Sequence, residues 1–195
     1  MNAKNNNPSK GNSSILELLI SEEDILKKVT IVSHEIDAFY AGQSLVIIMI
    51  MKGAICLVAD LIRKISIPCS LEFIQANSYG AFGEHRGELV IKGLDSLDIK
   101  GKNVLVVDDI FDSGITLSEV IFQLKKKEAK SLKSLVLLSK KIIRKTSYFP
   151  DHVLFAIEDR FVVGYGLDYK EQFRGLPGVF ALSLENLVEI EKLIP

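Results

Sequence analysis

The chain has little of what builds many kinds of site. Its 195 residues include only two cysteines and three histidines. Cys56 and Cys69 sit in apolar stretches without metal-ligand spacing, so buried free thiols in a reducing compartment are expected rather than a disulfide or a thiolate metal centre. His34, His85 and His152 show no ligand spacing either, and each reads as a core or surface histidine. The longest apolar run, Leu45 to Met51, is far short of the roughly 20 residues a membrane-spanning helix needs. There is no surplus of one charge: 24 Lys and Arg stand against 25 Asp and Glu, for a net charge of −1. That balance gives no support to a nucleic-acid or membrane-surface partner. Met1 to Ser14 is rich in Asn, Ser and Lys and lacks an apolar core segment, so it reads as a disordered tail and not as a secretory signal. A cytoplasmic protein is expected. What remains is ordinary for a soluble globular domain, 48% hydrophobic and 25% charged, and residues 15–195 are long enough for one domain with a substantial core.

Strands and helices alternate along that domain. Ile15 to Ile20 is a short strand or ordered lead-in. Ser21 then caps a helix with acids in its first turn, and Ile25, Val29, Val32 and Ile36 recur at helical spacing to about Tyr40. Leu45 to Met51 suits a central parallel strand. Ala54 to Ile65 reads as a helix stopped before Pro68, and Leu71 to Ala76 as a strand. Ser78 to Gly87 is Gly-rich, polar and flexible, and Glu88 to Lys92 is a further short strand. Asp95 to Gly101 is a linker. Ser134 to Leu138, Val153 to Ile157, Phe161 to Tyr165 and Val179 to Leu184 are later strands, with a helix at the C-terminal end. No internal repeat is present. The order argues for an α/β fold with a mostly parallel sheet and active residues at the carboxyl ends of its strands.

The richest stretch runs from Val104 to Thr116, VLVVDDIFDSGIT. Four apolar residues, three of them β-branched, form a buried strand. Asp108, Asp109 and Asp112 follow within five positions, then Ser113, Gly114 and Thr116, then a helical pattern from Leu117 to Leu124. Such a strand, turn and helix can hold a phosphorylated sugar. The Gly turn and helix N-terminus present backbone N–H groups, and the acids suit ribose hydroxyls or a hard divalent cation. On spacing alone, a helix cap and a binding site both stand open. Lys52-Gly53, at the end of a strand, reads by itself first as a plain left-handed turn with a solvated lysine and only second as a phosphate contact. Lys140 ends another strand, where a surface lysine is the default reading. Phe161-Val-Val-Gly-Tyr-Gly-Leu-Asp168-Tyr169 is either a glycine-rich β-edge or a base-stacking aromatic with backbone groups reading a base edge.

The whole string from Val104 to Thr116 closely resembles the phosphoribosyl pyrophosphate (PRPP) signature of the phosphoribosyltransferases. Met51-Lys52-Gly53, Ser78-Tyr79-Gly80, Leu137 to Lys140, Pro150-Asp151 and the Phe161 to Arg174 segment extend the likeness over roughly Ile15 to Leu184. The last segment is distinctive of the 6-oxopurine branch, so the chain resembles the hypoxanthine (hypoxanthine-guanine) phosphoribosyltransferases of purine salvage. The resemblance implies the type I phosphoribosyltransferase fold, a mostly parallel sheet flanked by helices with a small hood. It implies transfer of the phosphoribosyl group to hypoxanthine, and to guanine, giving IMP or GMP and pyrophosphate with Mg²⁺, in a homodimer or homotetramer.

The same resemblance implies roles. Lys52 and Gly53 would bind pyrophosphate, with a strained or cis peptide there, and Arg174 would join them. Ser78 and Tyr79 would belong to a lid that excludes water. Asp108 and Asp109 would meet the ribose hydroxyls and their Mg²⁺, and Asp168, at the purine site, would help bind a second Mg²⁺ with the pyrophosphate. Asp112 would be the general base or acid at N7. Ser113, Gly114, Ile115 and Thr116 would cradle the 5′-phosphate. Lys140 would donate to O6, Phe161 would stack on the base and the Val162 backbone would read its edge. Two positions depart from the pattern: Asp108 stands where the family commonly has Glu, and Ile115 where relatives often have Lys. A regulator of the same fold that binds nucleic acid is disfavoured by the neutral charge and by Asp112, because a sensor needs no proton-transfer group. A xanthine-preferring transferase stays open.

Overall fold

A computed structural model describes residues 16–78 and 89–183. The segment from Tyr79 to Gly87, the tail from Met1 to Ser14 and the helix expected near the C-terminus lie outside them. The main sheet has six strands: β2 (Leu45–Met51), β3 (Cys69–Ser78), β4 (Leu89–Lys92), β5 (Asn103–Phe111), β6 (Ser131–Lys140) and β7 (His152–Ile157), in the order β4-β3-β2-β5-β6-β7. All neighbours are parallel except β4, which pairs antiparallel with β3 at one edge. Successive side chains of a strand point to opposite faces, so the apolar runs feed two cores. Ile47, Met49, Leu105, Val107, Leu135 and Leu137 face one way, against α1 (Glu22–Phe39) and α2 (Ile55–Ile62). Val46, Ile48, Ile50, Val104, Val106 and Val136 face the other, against α3 (Ile115–Lys125).

The helix signals act as the residue types require. Ser21 accepts from the Asp24 N–H, and Ile25, Val29, Val32 and Ile36 form the buried stripe of α1. The second helix stops at Ile62, three residues before the expected end. There the Asp37 carboxylate accepts the N–H groups of Ser66 and Ile67, which turns the chain toward β3 ahead of Pro68. β1 (Leu16–Ile20), β8 (Val162–Val163) and β9 (Val179–Leu182) form a separate antiparallel sheet in the order β1-β9-β8, the small hood. The strand expected over Phe161 to Tyr165 is only two residues long, because Gly164, Tyr165 and Gly166 all adopt positive φ and leave the extended region. The cysteines also depart from expectation. Both are free, but Cys69 is exposed at the start of β3 and Cys56 is only half-buried.

In sequence the chain passes from β2 outward to β3, then returns to β5 on β2's other side. The strand order therefore reverses between β2 and β5, and their carboxyl ends open a crevice of the kind in which α/β sheets bind ligands.

Candidate active site

At that crevice lies a cavity of about 590 Å³ lined by the ends of β2 and β5, the start of α3, and Asp168 and Arg174. β2 ends in Met51-Lys52-Gly53, with a cis peptide between Met51 and Lys52. Gly53 is pressed against β5: a Cβ there would fall 1.5 Å from Asp109 Oδ2. From the other side comes Gly166, at φ +100°, where a Cβ would fall 2.0 Å from the Gly53 carbonyl oxygen. Three distant segments meet here, Gly166 against the Gly53 backbone and Gly53 against the Asp109 side chain, and a larger residue at either glycine would disturb the contact.

The strand β5 does not end at its acids. It carries Asp108 opposite Val136 and continues to Phe111 opposite Ser139. Asp108 is only 6% exposed. Its Oδ1 accepts from the Asp109 N–H at 3.0 Å, and Asp109 Oδ1 accepts from the Ile110 N–H at 2.8 Å. Burial, and then the Asp109 charge, push the Asp108 carboxyl well above its usual range, and burial raises Asp109 as well. Two crowded carboxylates in a low dielectric favour a cation that would let both ionise. They supply the hard oxygen donors that Mg²⁺ prefers, and it commonly completes its shell with water and phosphate oxygens. Among the described residues no three His, Cys, Asp or Glu side chains converge on one metal position. Asp168 therefore does not join Asp108 and Asp109 in a single cage. Its Oδ1 lies 2.9 Å from Arg174 Nη2 and its Oδ2 accepts from the Glu171 N–H.

Ser113, Gly114, Ile115 and Thr116 all line the cavity. Gly114 takes φ +81° at the N-cap of α3 and makes no side-chain cap. A Cβ on it would collide with the Thr146 methyl at 2.5 Å and the Phe111 ring at 2.8 Å. The first N–H groups of a helix have no partner within it, and its dipole adds positive potential, so this end suits a phosphate.

Opposite stand the cations. Lys52 Nζ lies 2.9 Å from Glu171 Oε2, and Arg174 Nη2 lies 3.3 Å from Glu171 Oε1. Arg174 Nη1 donates to the Gly166 carbonyl at 2.8 Å, while its Nε is buried without a hydrogen-bond partner. A buried donor left in that state is one that a ligand oxygen would satisfy. Glu171 was not singled out by the sequence. It lies at φ +64° in a run where Lys170 and Phe173 are also left-handed, a conformation that residue types alone did not signal.

Of the residues expected at a base, Lys140 stands beside Asp112. Lys140 Nζ is 4.0 Å from Asp112 Oδ2 and 3.0 Å from Asp159 Oδ1. Phe161 is 40% exposed and meets the Tyr169 ring edge-on at 5.7 Å. Val162 is buried and paired with Ala181. Lys140, Phe161 and Val162 do not line the cavity itself, whereas Asp112 does. Ser78 ends β3 opposite Leu89, and both Leu89 and Ala76 line the cavity. Tyr79 lies outside the described residues.

A parallel sheet whose carboxyl edge brings together a lysine-glycine turn, paired acids and a glycine-led helix start is the architecture of the type I phosphoribosyltransferases. The family model for the phosphoribosyl transferase domain matches residues 18–170. A hypoxanthine-guanine phosphoribosyltransferase of Aquifex aeolicus is 42% identical over 170 residues, which is 86% of this chain and 95% of that one. A crystal structure of a hypoxanthine-guanine phosphoribosyltransferase from Bacillus anthracis superposes with a TM-score of 0.81 at 38% identity, covering 87% of this chain and 100% of that chain. The hypoxanthine phosphoribosyltransferase of Trypanosoma cruzi in complex with the product IMP gives a TM-score of 0.80 at 32% identity, covering 90% and 99%. The chain belongs to the phosphoribosyltransferase family and, within it, to the hypoxanthine-guanine phosphoribosyltransferases.

Proposed function

We propose that this protein transfers the 5-phosphoribosyl group of PRPP to N9 of hypoxanthine, and of guanine, giving IMP or GMP and pyrophosphate. The observation that carries the reading is the convergence, around one cavity, of the Lys52-Gly53 turn, Asp108 to Thr116, and Arg174. Backbone donors of Ser113 to Thr116 hold the 5′-phosphate. Asp108 and Asp109 receive the ribose hydroxyls. Lys52 and Arg174 take the pyrophosphate, whose oxygens give the buried Arg174 Nε its missing acceptor. The bond from C1 of the sugar to the pyrophosphate oxygen breaks as N9 forms its bond to C1. Positioning, and neutralising the leaving group, supply most of the rate. Asp112 takes or shares the purine proton at N7. Lys140 donates to O6, and the Phe161 ring lies over the base with the Val162 backbone at its edge. Mg²⁺ at Asp108 and Asp109 would add Lewis-acid charge to the sugar diphosphate, with Asp168 serving a second ion on the pyrophosphate side.

Ser78 and Tyr79 are proposed to close over the reacting centre. We place the protein in the cytoplasm. Among the described residues no helix is long and apolar enough to cross a membrane. We assign it a homodimeric or homotetrameric assembly, for which exposed Leu71 and Phe73, on the α1–α2 face of the sheet, offer apolar surface.

The test is a PRPP- and Mg²⁺-dependent assay with hypoxanthine, guanine, xanthine and adenine in parallel. Hypoxanthine and guanine are expected to turn over. Adenine should be rejected by about 10⁴-fold, because its 6-amino group would set donor against donor at Lys140. Asp112→Asn should lower kcat by roughly 10²- to 10⁴-fold with PRPP binding retained. Absence of turnover with every base would end the enzyme reading, and unchanged turnover would remove Asp112 from its role.

A further inference from the structure

We propose that Arg144 is a positioning residue for the transfer, fixing the separation of the Asp112 and Lys140 main chains and so the spacing of the acid and the lysine that meet the purine. The proposal deepens the hypoxanthine reading and rests on it. The parallel ladder between β5 and β6 runs to Phe111 opposite Ser139. Continuing that register would set Asp112 opposite Lys140, one step past the end of the ladder. Their side chains do not fix one another, since Nζ and Oδ2 are 4.0 Å apart.

The guanidinium of Arg144 spans this gap. One terminal nitrogen, Nη1, donates to the Phe111 carbonyl at 3.1 Å and to the Asp112 carbonyl. The other, Nη2, donates to Ser139 Oγ at 2.8 Å and to the Lys140 carbonyl. The group lies over the face of the buried Phe111 ring, 4.7 Å from its centroid. Each of the four acceptors is a neutral oxygen of β5, β6 or the residue that follows them. The planar fork thus acts as an added rung, tying the last residue of one strand to the first residue beyond the other. A lysine ammonium is a point donor on a flexible stem and cannot hold two strands at a fixed separation in this way. The segment after Arg144 supports the same edge: the Lys145 N–H donates to the Ser113 carbonyl at 3.1 Å, and Thr146 packs on Gly114.

A displacement of about 1 Å at a reacting group can cost 10²-fold in rate. The experiment compares Arg144→Ala and Arg144→Lys with the unaltered protein, varying hypoxanthine and PRPP separately. Arg144→Ala should lower kcat/KM for hypoxanthine by about 100-fold while KM for PRPP moves less than about threefold. Added guanidinium ion should restore about tenfold of the loss, and ammonium ion should not, because only the planar fork bridges both carbonyls. Arg144→Lys, the variant to rely on should the alanine form fail to fold, should show a loss of about tenfold or more confined to hypoxanthine. Equal losses toward both substrates, full activity in Arg144→Ala, or complete rescue by lysine would overturn the proposal. No transfer to hypoxanthine by the unaltered protein would overturn the substrate reading and this proposal with it, a result distinct from any of the others.

Discussion

Asp108 is held in the fold at a cost. It is buried beside a second carboxyl, and its proton is bound more tightly folded than unfolded. The unfolded carboxyl titrates near pH 4. As pH rises from there through the raised folded value, the folded chain gives up a proton it holds more tightly than the unfolded chain does, so stability falls. Asp108→Asn removes that charge while keeping the size and the acceptor for the Asp109 N–H. We expect it to stabilise the protein near neutral pH by about 1 kcal/mol, a melting temperature roughly 2–4 °C higher for a chain of this size. The gap between the two proteins should close toward pH 4, and PRPP turnover should fall in the variant. Thermal melts across pH, beside the assay, check both parts. The residue itself was legible: three acids after a β-branched run left cap and site open, and the whole string's likeness to the PRPP signature decided between them. Its environment was not, since nothing local says that β5 keeps its ladder past both acids to Phe111. Asp108 is buried because β6 remains beside it.

At the scale of elements, the site is built by turns more than by strands. The segment from Gly164 to Arg174 contributes little regular structure, yet it presses Gly166 against the Gly53 carbonyl and delivers Arg174. Gly166→Ala places a methyl group in that contact and requires a left-handed alanine. The combined strain should destabilise the protein by about 3 kcal/mol, read as a lower denaturant midpoint, and should raise KM for PRPP by displacing the Lys52-Gly53 turn. The alternating glycines of this string were visible in the sequence, and so was an acid and an arginine beyond them. What could not be read was the partner: only the fold brings residue 166 to residue 53. Arg144 was missed for a related reason. It follows Lys140 in an irregular stretch with no periodicity, and its acceptors are backbone carbonyls, which leave no trace in residue type.

At the scale of the molecule, the mostly parallel character of the main sheet was legible, whereas its strand order was not and the small second sheet came only with the family resemblance. Apolar runs with turn signals gave the strands, and the PRPP motif gave the edge where they open. Less visible was how the two sheets communicate. Lys52 belongs to the main sheet's edge, and Glu171 to the connection between β8 and β9. Their contact, at 2.9 Å, lies between half-exposed side chains, where an ion pair adds little to folding. Its consequence lies in exchange. Glu171 is a resident counter-ion, and on the proposed reading arriving pyrophosphate would trade places with this carboxylate at Lys52 and Arg174. Departing pyrophosphate would then leave cations that the chain's own carboxylates can pair with again. Glu171→Gln takes that competitor away. Inhibition by pyrophosphate should tighten by roughly threefold in low salt, an advantage that should fade as ionic strength rises. Unchanged inhibition at every salt concentration would mean that Glu171 does not compete. With that exchange, each turnover would end with the two cations facing tethered carboxylates, Glu171 for Lys52 and Asp168 with Glu171 for Arg174, with no new anion needed from solution.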